Sequence, residues 1–123
     1  MLEHVALTVA DNKELENFYR NILGFELHKT FELNEDLSKK IFGISKNMSV
    51  YHLKKDNLIL EIFISVERSK LKYNHICLLI KNREAVCKNA VANGYICNRI
   101  KRDRGDLIFI QDKSSNMFEI KEG

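Results

Sequence analysis

Apolar and polar residues alternate along eight short stretches of the chain, and this period of two is typical of half-buried β-strands. The predicted strands cover residues 3–10, 25–30, 49–55, 58–65, 74–81, 96–101, 106–111 and 117–122. Between the first two strands the apolar residues recur at helical spacing, and they are Leu15, Phe18, Tyr19, Ile22 and Leu23. Asp11 and Glu14 have the spacing of a capping box, and Gly24 suits the left-handed residue that ends a helix.

A second, weaker helical pattern follows the strand at 74–81. Its apolar face consists of Val86, Cys87, Ala90 and Val91, and Gly94 closes it. Asp56 with Asn57, and residues 104–106, have the composition of hairpin turns. The predicted order is therefore a strand, a helix and three strands, followed by the same order again.

The chain repeats itself once, at an interval of about 70 residues. Residues 4–25 read HVALTVADNKELENFYRNILGF, and residues 75–95 read HICLLIKNREAVCKNAVANGY. Both begin with a histidine and end with a glycine followed by an aromatic residue. Farther along, the triplet LEI around Glu61 corresponds to FEI around Glu119. We therefore expect a single domain, 1–123, made of two βαβββ modules that cover 1–66 and 73–123.

The first half carries an extra segment, residues 31–47. Leu37, Ile41, Phe42 and Ile44 predict a turn or two of amphipathic helix within it. One interpretation is a surface connection with its own apolar anchor. The other is a lid or wall over a pocket, because long inserted segments often carry function.

Composition and charge narrow the class of protein. Of the 123 residues, 45% are hydrophobic and 30% are charged, which is typical of a globular domain. A net charge of +3 without an aromatic-interleaved basic motif argues against a nucleic-acid partner. No apolar run reaches the roughly 18 residues of a membrane span, and no signal-peptide pattern opens the chain. We therefore expect a cytoplasmic protein that binds a small-molecule substrate.

The three cysteines, Cys77, Cys87 and Cys97, are odd in number and form no CxxC motif. This pattern predicts neither a disulfide framework nor a zinc knuckle, and it favours free thiols in a reducing compartment.

Strand alternation places four ligand-type side chains on one surface. His4, Glu61, His75 and Glu119 each lie opposite the branched apolar residues that suit packing against a helix. An ionised glutamate between apolar strand neighbours is costly unless it is paired or metal-bound. Two imidazoles and two carboxylates suit one divalent ion, namely Zn²⁺, Ni²⁺, Co²⁺, Mn²⁺ or Fe²⁺. The alternative is His–Glu ion pairing inside a binding cleft.

Further residues are candidates for contact with a substrate. Those on the same predicted face as the four ligands are Thr8, Phe63 and Cys77, and Phe42 would cover that face. The alternative is that they line a pocket without taking part in chemistry. His28 and His52 have no counterpart in the other half, and we interpret them as ordinary strand histidines.

Several segments together resemble the vicinal oxygen chelate superfamily, which includes glyoxalase I, methylmalonyl-CoA epimerase, extradiol dioxygenases and the fosfomycin-resistance and bleomycin-binding proteins. The segments are HVALTV, FYRNILGFEL, LEIF, NHICLLI and FIQDKSSNMFEI. The resemblance implies an α+β fold, in which two βαβββ modules form a cup-shaped mixed sheet with helices packed outside. It also implies metal ligands at the positions of His4, Glu61, His75 and Glu119. The turn at 112–116 lacks the proline and glycine usual there.

The resemblance also implies a chemistry. Glu61 favours glyoxalase-like or epimerase-like members, which are lyases or isomerases. The expected reaction is metal-assisted proton transfer on a small oxygenated substrate through an enediolate-like intermediate, with Glu119 or Glu61 as the base. One alternative is an Fe(II) extradiol-type dioxygenase that uses His4, His75 and Glu119. Another is a binding protein without catalysis. Members of this size are commonly homodimers, so the ligands come from one chain or from two.

Overall fold

The computed structural model describes residues 2–66 and 74–123, and the predicted start of the second module at residue 73 lies outside them. The first module contains β1 (His4–Val9), a π-helix (Leu15–Arg20), β2 (Glu26–Leu33), α1 (Glu35–Phe42), β3 (Met48–Lys55) and β4 (Leu58–Ile64). The second contains β5 (His75–Ile80), α2 (Arg83–Ala92), β6 (Ile96–Ile100), β7 (Leu107–Gln111) and β8 (Met117–Glu122). Each predicted strand has its counterpart among them.

The strands form two four-stranded mixed sheets with the same topology. The order is β1-β4-β3-β2 in the first sheet and β5-β8-β7-β6 in the second. In each sheet the first strand pairs in parallel with the last, and the other pairs are antiparallel. The helix after the first strand leads to the next strand in sequence, at the opposite edge of the sheet. The predicted α+β class with two βαβββ modules is confirmed.

One hydrophobic core joins the two modules. Phe18, from the π-helix of the first module, packs against Tyr95 and Phe118 of the second, with ring centroids 4.9 and 5.8 Å apart. Tyr19 meets Phe118 edge-on at 5.9 Å. Tilted and edge-on arrangements are favourable for aromatic pairs. The first helix therefore covers its own sheet and the neighbouring one.

This first helix differs from the prediction at its start. Its predicted apolar face is right, and the buried residues are Phe18, Tyr19, Ile22 and Leu23. The predicted capping box is wrong, because the buried Glu14 carboxylate accepts hydrogen bonds from the Tyr95 hydroxyl and the Lys113 backbone N–H. Long-range partners in the second module thus replace the local cap. Gly24 ends the helix at φ +79°, as predicted.

The extra segment folds as the end of β2 and the short helix α1. The Asn34 side chain accepts a 2.8 Å hydrogen bond from the Leu37 N–H, and Gly43 ends the helix at φ 72°. The predicted amphipathic turns are confirmed, but the apolar side chains of Leu37 and Ile41 are exposed.

Among the described helices, none is long and apolar enough to cross a membrane.

The prediction of free thiols is wrong for two of the three cysteines. Cys87 on α2 and Cys97 on β6 form a disulfide with their Cα atoms 5.8 Å apart. The bond ties the second helix to the strand that follows it. Cys77 has a free thiol.

Candidate functional site

The register of the parallel strand pairs makes the two halves of the site equivalent. On β1 and β4, Ala6 lies opposite Glu61, and on β5 and β8, Cys77 lies opposite Glu119. In each module the histidine stands two residues before that pairing position, on the same face of the strand. His4 therefore corresponds to His75, and Glu61 corresponds to Glu119, as the sequence repeat predicts.

Each module brings its histidine close to its glutamate. The distance from His4 Nε2 to Glu61 Oε2 is 3.9 Å, and that from His75 Nε2 to Glu119 Oε1 is 3.7 Å. The glutamate side chains are 16% and 13% exposed, whereas the histidine side chains are 38% and 40% exposed. Each carboxylate is thus largely shielded, and each imidazole reaches solvent beside it.

The donor atoms fit a divalent ion. Two ligands at about 2.1 Å from one ion span at most about 4.2 Å. The N–O separations of 3.9 and 3.7 Å fall within that span. Imidazole nitrogen and carboxylate oxygen are both suitable for the transition metals predicted from the sequence. Each His–Glu pair therefore fits a divalent ion in the type of its donor atoms and in their spacing.

The two pairs do not meet within one chain. Across residues 2–66 and 74–123, no three His, Cys, Asp or Glu side chains are gathered in an arrangement that would hold a metal ion. His4 with Glu61 lies on the first sheet, and His75 with Glu119 lies on the second. The four predicted ligands are therefore present as two half-sites, and their role as ligands stays a prediction.

His52 lies on strand β3, as expected, but it also contacts the glutamate of the first half-site. Its Nε2 lies 2.7 Å from Glu61 Oε2, and its side chain is 12% exposed. The sequence carried a signal for this contact. A two-residue turn at Asp56 and Asn57 places residue 52 directly opposite Glu61 on β3 and β4, and the structure has this register.

The second half-site has different neighbours around its glutamate. Phe109 lies opposite Glu119 on β7, with its ring 5.7 Å from that of His75. Lys121 Nζ lies 3.8 Å from Glu119 Oε2. Partial burial, and then the nearby Glu119 carboxylate, raise the pKa of the Cys77 thiol. A raised pKa keeps Cys77 in the less reactive thiol form at neutral pH.

The predicted substrate-contact residues of the first module lie near this surface. Phe63 on β4 pairs with Thr8 on β1, and Phe42 at the end of α1 meets the Phe63 ring edge-on at 5.4 Å. The extra segment therefore contacts the face of the sheet that carries Glu61. This position agrees with a wall beside the site, and contact with a substrate stays a prediction for Thr8, Phe42, Phe63 and Cys77.

The turn at 112–116 fixes the second module against the first. The buried Tyr19 hydroxyl donates a 2.8 Å hydrogen bond to Asp112 Oδ2, and the Asn116 amide donates to the Thr8 carbonyl at 2.9 Å. The Ala10 N–H donates to Ser114 Oγ at 2.8 Å. Burial, followed by the Asp112 charge, raises the pKa of Tyr19 well above its usual range. The contact between Tyr19 and Asp112 joins the segments FYRNILGF and FIQDKSSN.

Comparison with known proteins agrees with this fold. The FosX fosfomycin resistance protein from Listeria monocytogenes matches with 20% identity and a TM-score of 0.77, over 100% of this chain and 93% of that chain. A mutant of that protein, complexed with Mn(II) and 1S,2S-dihydroxypropylphosphonic acid, matches with 22% identity and a TM-score of 0.75, over 100% and 92% of the two chains. A glyoxalase family protein from Enterococcus faecalis matches with 23% identity and a TM-score of 0.73, over 99% and 97%.

A search of curated proteins finds no significant match. The family model of the glyoxalase, bleomycin resistance protein and dioxygenase superfamily, in contrast, matches residues 1–120. Because this match covers nearly the whole chain, the protein belongs to the glyoxalase/bleomycin resistance protein/dioxygenase superfamily.

Proposed function

We propose that this protein is a divalent-metal-dependent enzyme that transfers a proton on a small oxygenated substrate, as glyoxalase-like and epimerase-like enzymes do. The observation that carries the proposal is the pair of equivalent His–Glu half-sites, each with donor atoms less than 4 Å apart. The Mn(II) complex of the FosX neighbour supports a divalent ion in this fold. His4, Glu61, His75 and Glu119 would hold the ion, which would supply Lewis acidity toward a substrate carbonyl or hydroxyl.

The protein side of the reaction is proton transfer by a carboxylate. Glu119 is the candidate base, because a glutamate beside the reacting carbon can take a proton and return it to the other face or to a neighbouring atom. His4 and His75 would stay in place as fixed ligands. Replacing Glu119 with Gln should leave the fold intact and abolish exchange of substrate protons with solvent deuterium, followed by NMR. Retained exchange in Glu119→Gln protein that still binds metal would contradict the assignment.

We further propose that two copies of the chain complete each site. The support is that one chain presents its ligands as two separated pairs, one on each sheet. A twofold axis that sets the first module of one copy against the second module of the other would form two identical sites. Each site would then contain His4 and Glu61 from one chain, and His75 and Glu119 from its partner.

Mixing two inactive variants tests this arrangement. A His4→Ala chain paired with a His75→Ala chain has one intact site and one doubly damaged site. Random pairing makes half of the dimers mixed, so about a quarter of the wild-type metal sites should return. Metal content after co-refolding, measured by elemental analysis against each variant alone, gives the result. If each site lies within one chain, the mixture will hold no more metal than the separate variants.

The substrate is identified by screening at saturating metal. Hemithioacetals of 2-oxoaldehydes, 2-substituted malonyl thioesters and fosfomycin each present adjacent oxygen atoms to an ion. Catechols are tested separately, with oxygen uptake as the measurement, to detect dioxygenase activity. A protein that binds metal and one of these compounds without turnover would instead be a binding protein.

A further inference from the structure

The two half-sites have the same strand arrangement but differ at the residue opposite the glutamate on the adjacent antiparallel strand. His52 faces Glu61 across β3 and β4, and Phe109 faces Glu119 across β7 and β8. Both rings stand beside the histidine of their own module, at 6.0 Å in the first and 5.7 Å in the second. One module therefore has an imidazole at the position where the other has a phenyl ring. The equivalence of the two modules is broken at this pairing position beside each carboxylate.

The His52 imidazole contacts the Glu61 carboxylate directly, whereas the His75 and Lys121 nitrogen atoms stand farther from Glu119. His52 Nε2 is 2.7 Å from Glu61 Oε2, a hydrogen-bond distance, and both side chains are at least four-fifths buried. His75 Nε2 and Lys121 Nζ stand 3.7 and 3.8 Å from the Glu119 carboxylate, beyond hydrogen-bond length. A hydrogen bond to a shielded carboxylate fixes the plane of that group. The contact with His52 thus holds Glu61 in one orientation.

The surroundings of His52 hold its ring in place. The Phe31 ring packs edge-on against it at 5.3 Å, from the adjacent strand β2. With Phe31 on one side and Glu61 on the other, the imidazole has little freedom to swing away. Residues that hydrogen-bond a ligating carboxylate orient it and raise metal affinity.

We infer that His52 is a positioning residue, which holds Glu61 in one orientation as a carboxylate ligand. This inference rests on the proposed metal-dependent function. His52 acts through Glu61 and is not itself a ligand in this assignment.

The test measures metal affinity of the full-length protein, with Mn²⁺ or Co²⁺ alone as the titrant in calorimetry. His52→Phe installs the residue found in the second module, and it should weaken binding about 10- to 100-fold. His52→Gln keeps a donor near Glu61 and should recover most of the affinity. His28→Phe, at an exposed histidine on β2, is the matched control and should bind as wild type does.

A double-mutant cycle separates positioning from direct ligation. In a Glu61→Ala background, His52→Phe should cause no further loss, because the group that His52 positions is gone. An undiminished further loss there would show that His52 ligates the metal itself, and it would overturn the inference. Equal affinities of wild type and His52→Phe would overturn it as well, while leaving the proposed function intact.

The remaining outcomes also decide the question. Absence of metal binding by the wild-type protein would overturn the proposed function, and the positioning role with it. Should His52→Phe fail to fold, as judged by circular dichroism, His52→Asn replaces it, because its amide is too short to reach Glu61. The His52→Asn protein should then bind the metal more weakly than the His52→Gln protein does. Equal metal affinities of these two variants would contradict the positioning role of His52.

Discussion

The hydrogen bond from Tyr19 to Asp112 should contribute measurably to stability, because it joins the two modules inside their common core. Tyr19 is fully buried, and Asp112 is 5% exposed. The substitution Tyr19→Phe removes only the hydroxyl, so the packing against Phe18 and Phe118 is kept. The experiment thus isolates one hydrogen bond that spans the module boundary.

The expected loss follows from the groups around Asp112. Without the Tyr19 hydroxyl, the carboxylate keeps hydrogen bonds from the Ser114 N–H at 2.9 Å, the Asn116 N–H at 2.8 Å and the Asn116 amide at 2.8 Å. It is therefore not left unpaired, and the loss should equal one hydrogen bond to a charged group, about 2 kcal/mol. For a domain of this size, that loss lowers the melting temperature by roughly 8 °C.

The effect also depends on pH in a defined direction. Burial and the nearby Asp112 charge raise the pKa of Tyr19, so the folded protein holds this proton more tightly than the unfolded chain does. The unfolded tyrosine ionises near pH 10. The stabilisation by Tyr19 is therefore complete below about pH 10, and it is lost as the pH rises above that value. The difference between wild type and Tyr19→Phe should shrink accordingly.

Urea denaturation from pH 7 to 11, at one fixed protein concentration, measures both quantities. Tyr51→Phe, at a half-buried tyrosine on β3, is the control, and its free energy of unfolding should stay within about 0.5 kcal/mol of wild type. A Tyr19→Phe loss as small as that of the control would refute the reasoning. So would a difference from wild type that does not change between pH 8 and 11.

Two further predictions concern local restraints. Replacing Cys87 and Cys97 together with serine should lower the free energy of unfolding by about 3 kcal/mol, the chain-entropy value for so short a loop. The loss should vanish when wild type is measured under reducing conditions. Asn34→Ala removes the cap of α1 and should cost about 1 kcal/mol. Asn34→Asp, which keeps an acceptor for the Leu37 N–H, should restore most of it in thermal unfolding.

The sequence predicted most of the fold because its strongest signals are local and occur twice. In β1, half-buried Val5 and Leu7 alternate with exposed His4 and Ala6, and β5 repeats this order. Period-two patterning fixes which face each side chain takes once one face is buried. The positions of the two histidines and the two glutamates followed from that alternation and from the repeat.

The features that the sequence did not predict depend on contacts between distant residues. Glu14 has the spacing of a helix cap, but hydrogen bonds from Tyr95 and Lys113 compete with the local cap and hold the carboxylate elsewhere. The bond between Cys87 and Cys97 depends on how α2 docks beside β6, which residue spacing does not specify. The contact between His52 and Glu61 is a different case, because the predicted hairpin turn already placed the two residues opposite each other.

The side chains that differ between the two modules suggest how a site built from two similar halves can recognise an asymmetric substrate. Around its His–Glu pair the first module presents an imidazole and a phenyl ring, from His52 and Phe63. The corresponding positions of the second are Phe109 and Lys121, the latter with its ammonium group beside Glu119. In a site shared by two chains, each site would receive one wall of each kind. Aromatic rings would line both walls and a cation only one, which favours a substrate with one acidic end. Lys121→Met should therefore raise KM for an anionic substrate, while kcat and metal affinity stay near the wild-type values. A fall in metal affinity instead would show that the ammonium group supports Glu119 and does not bind the substrate.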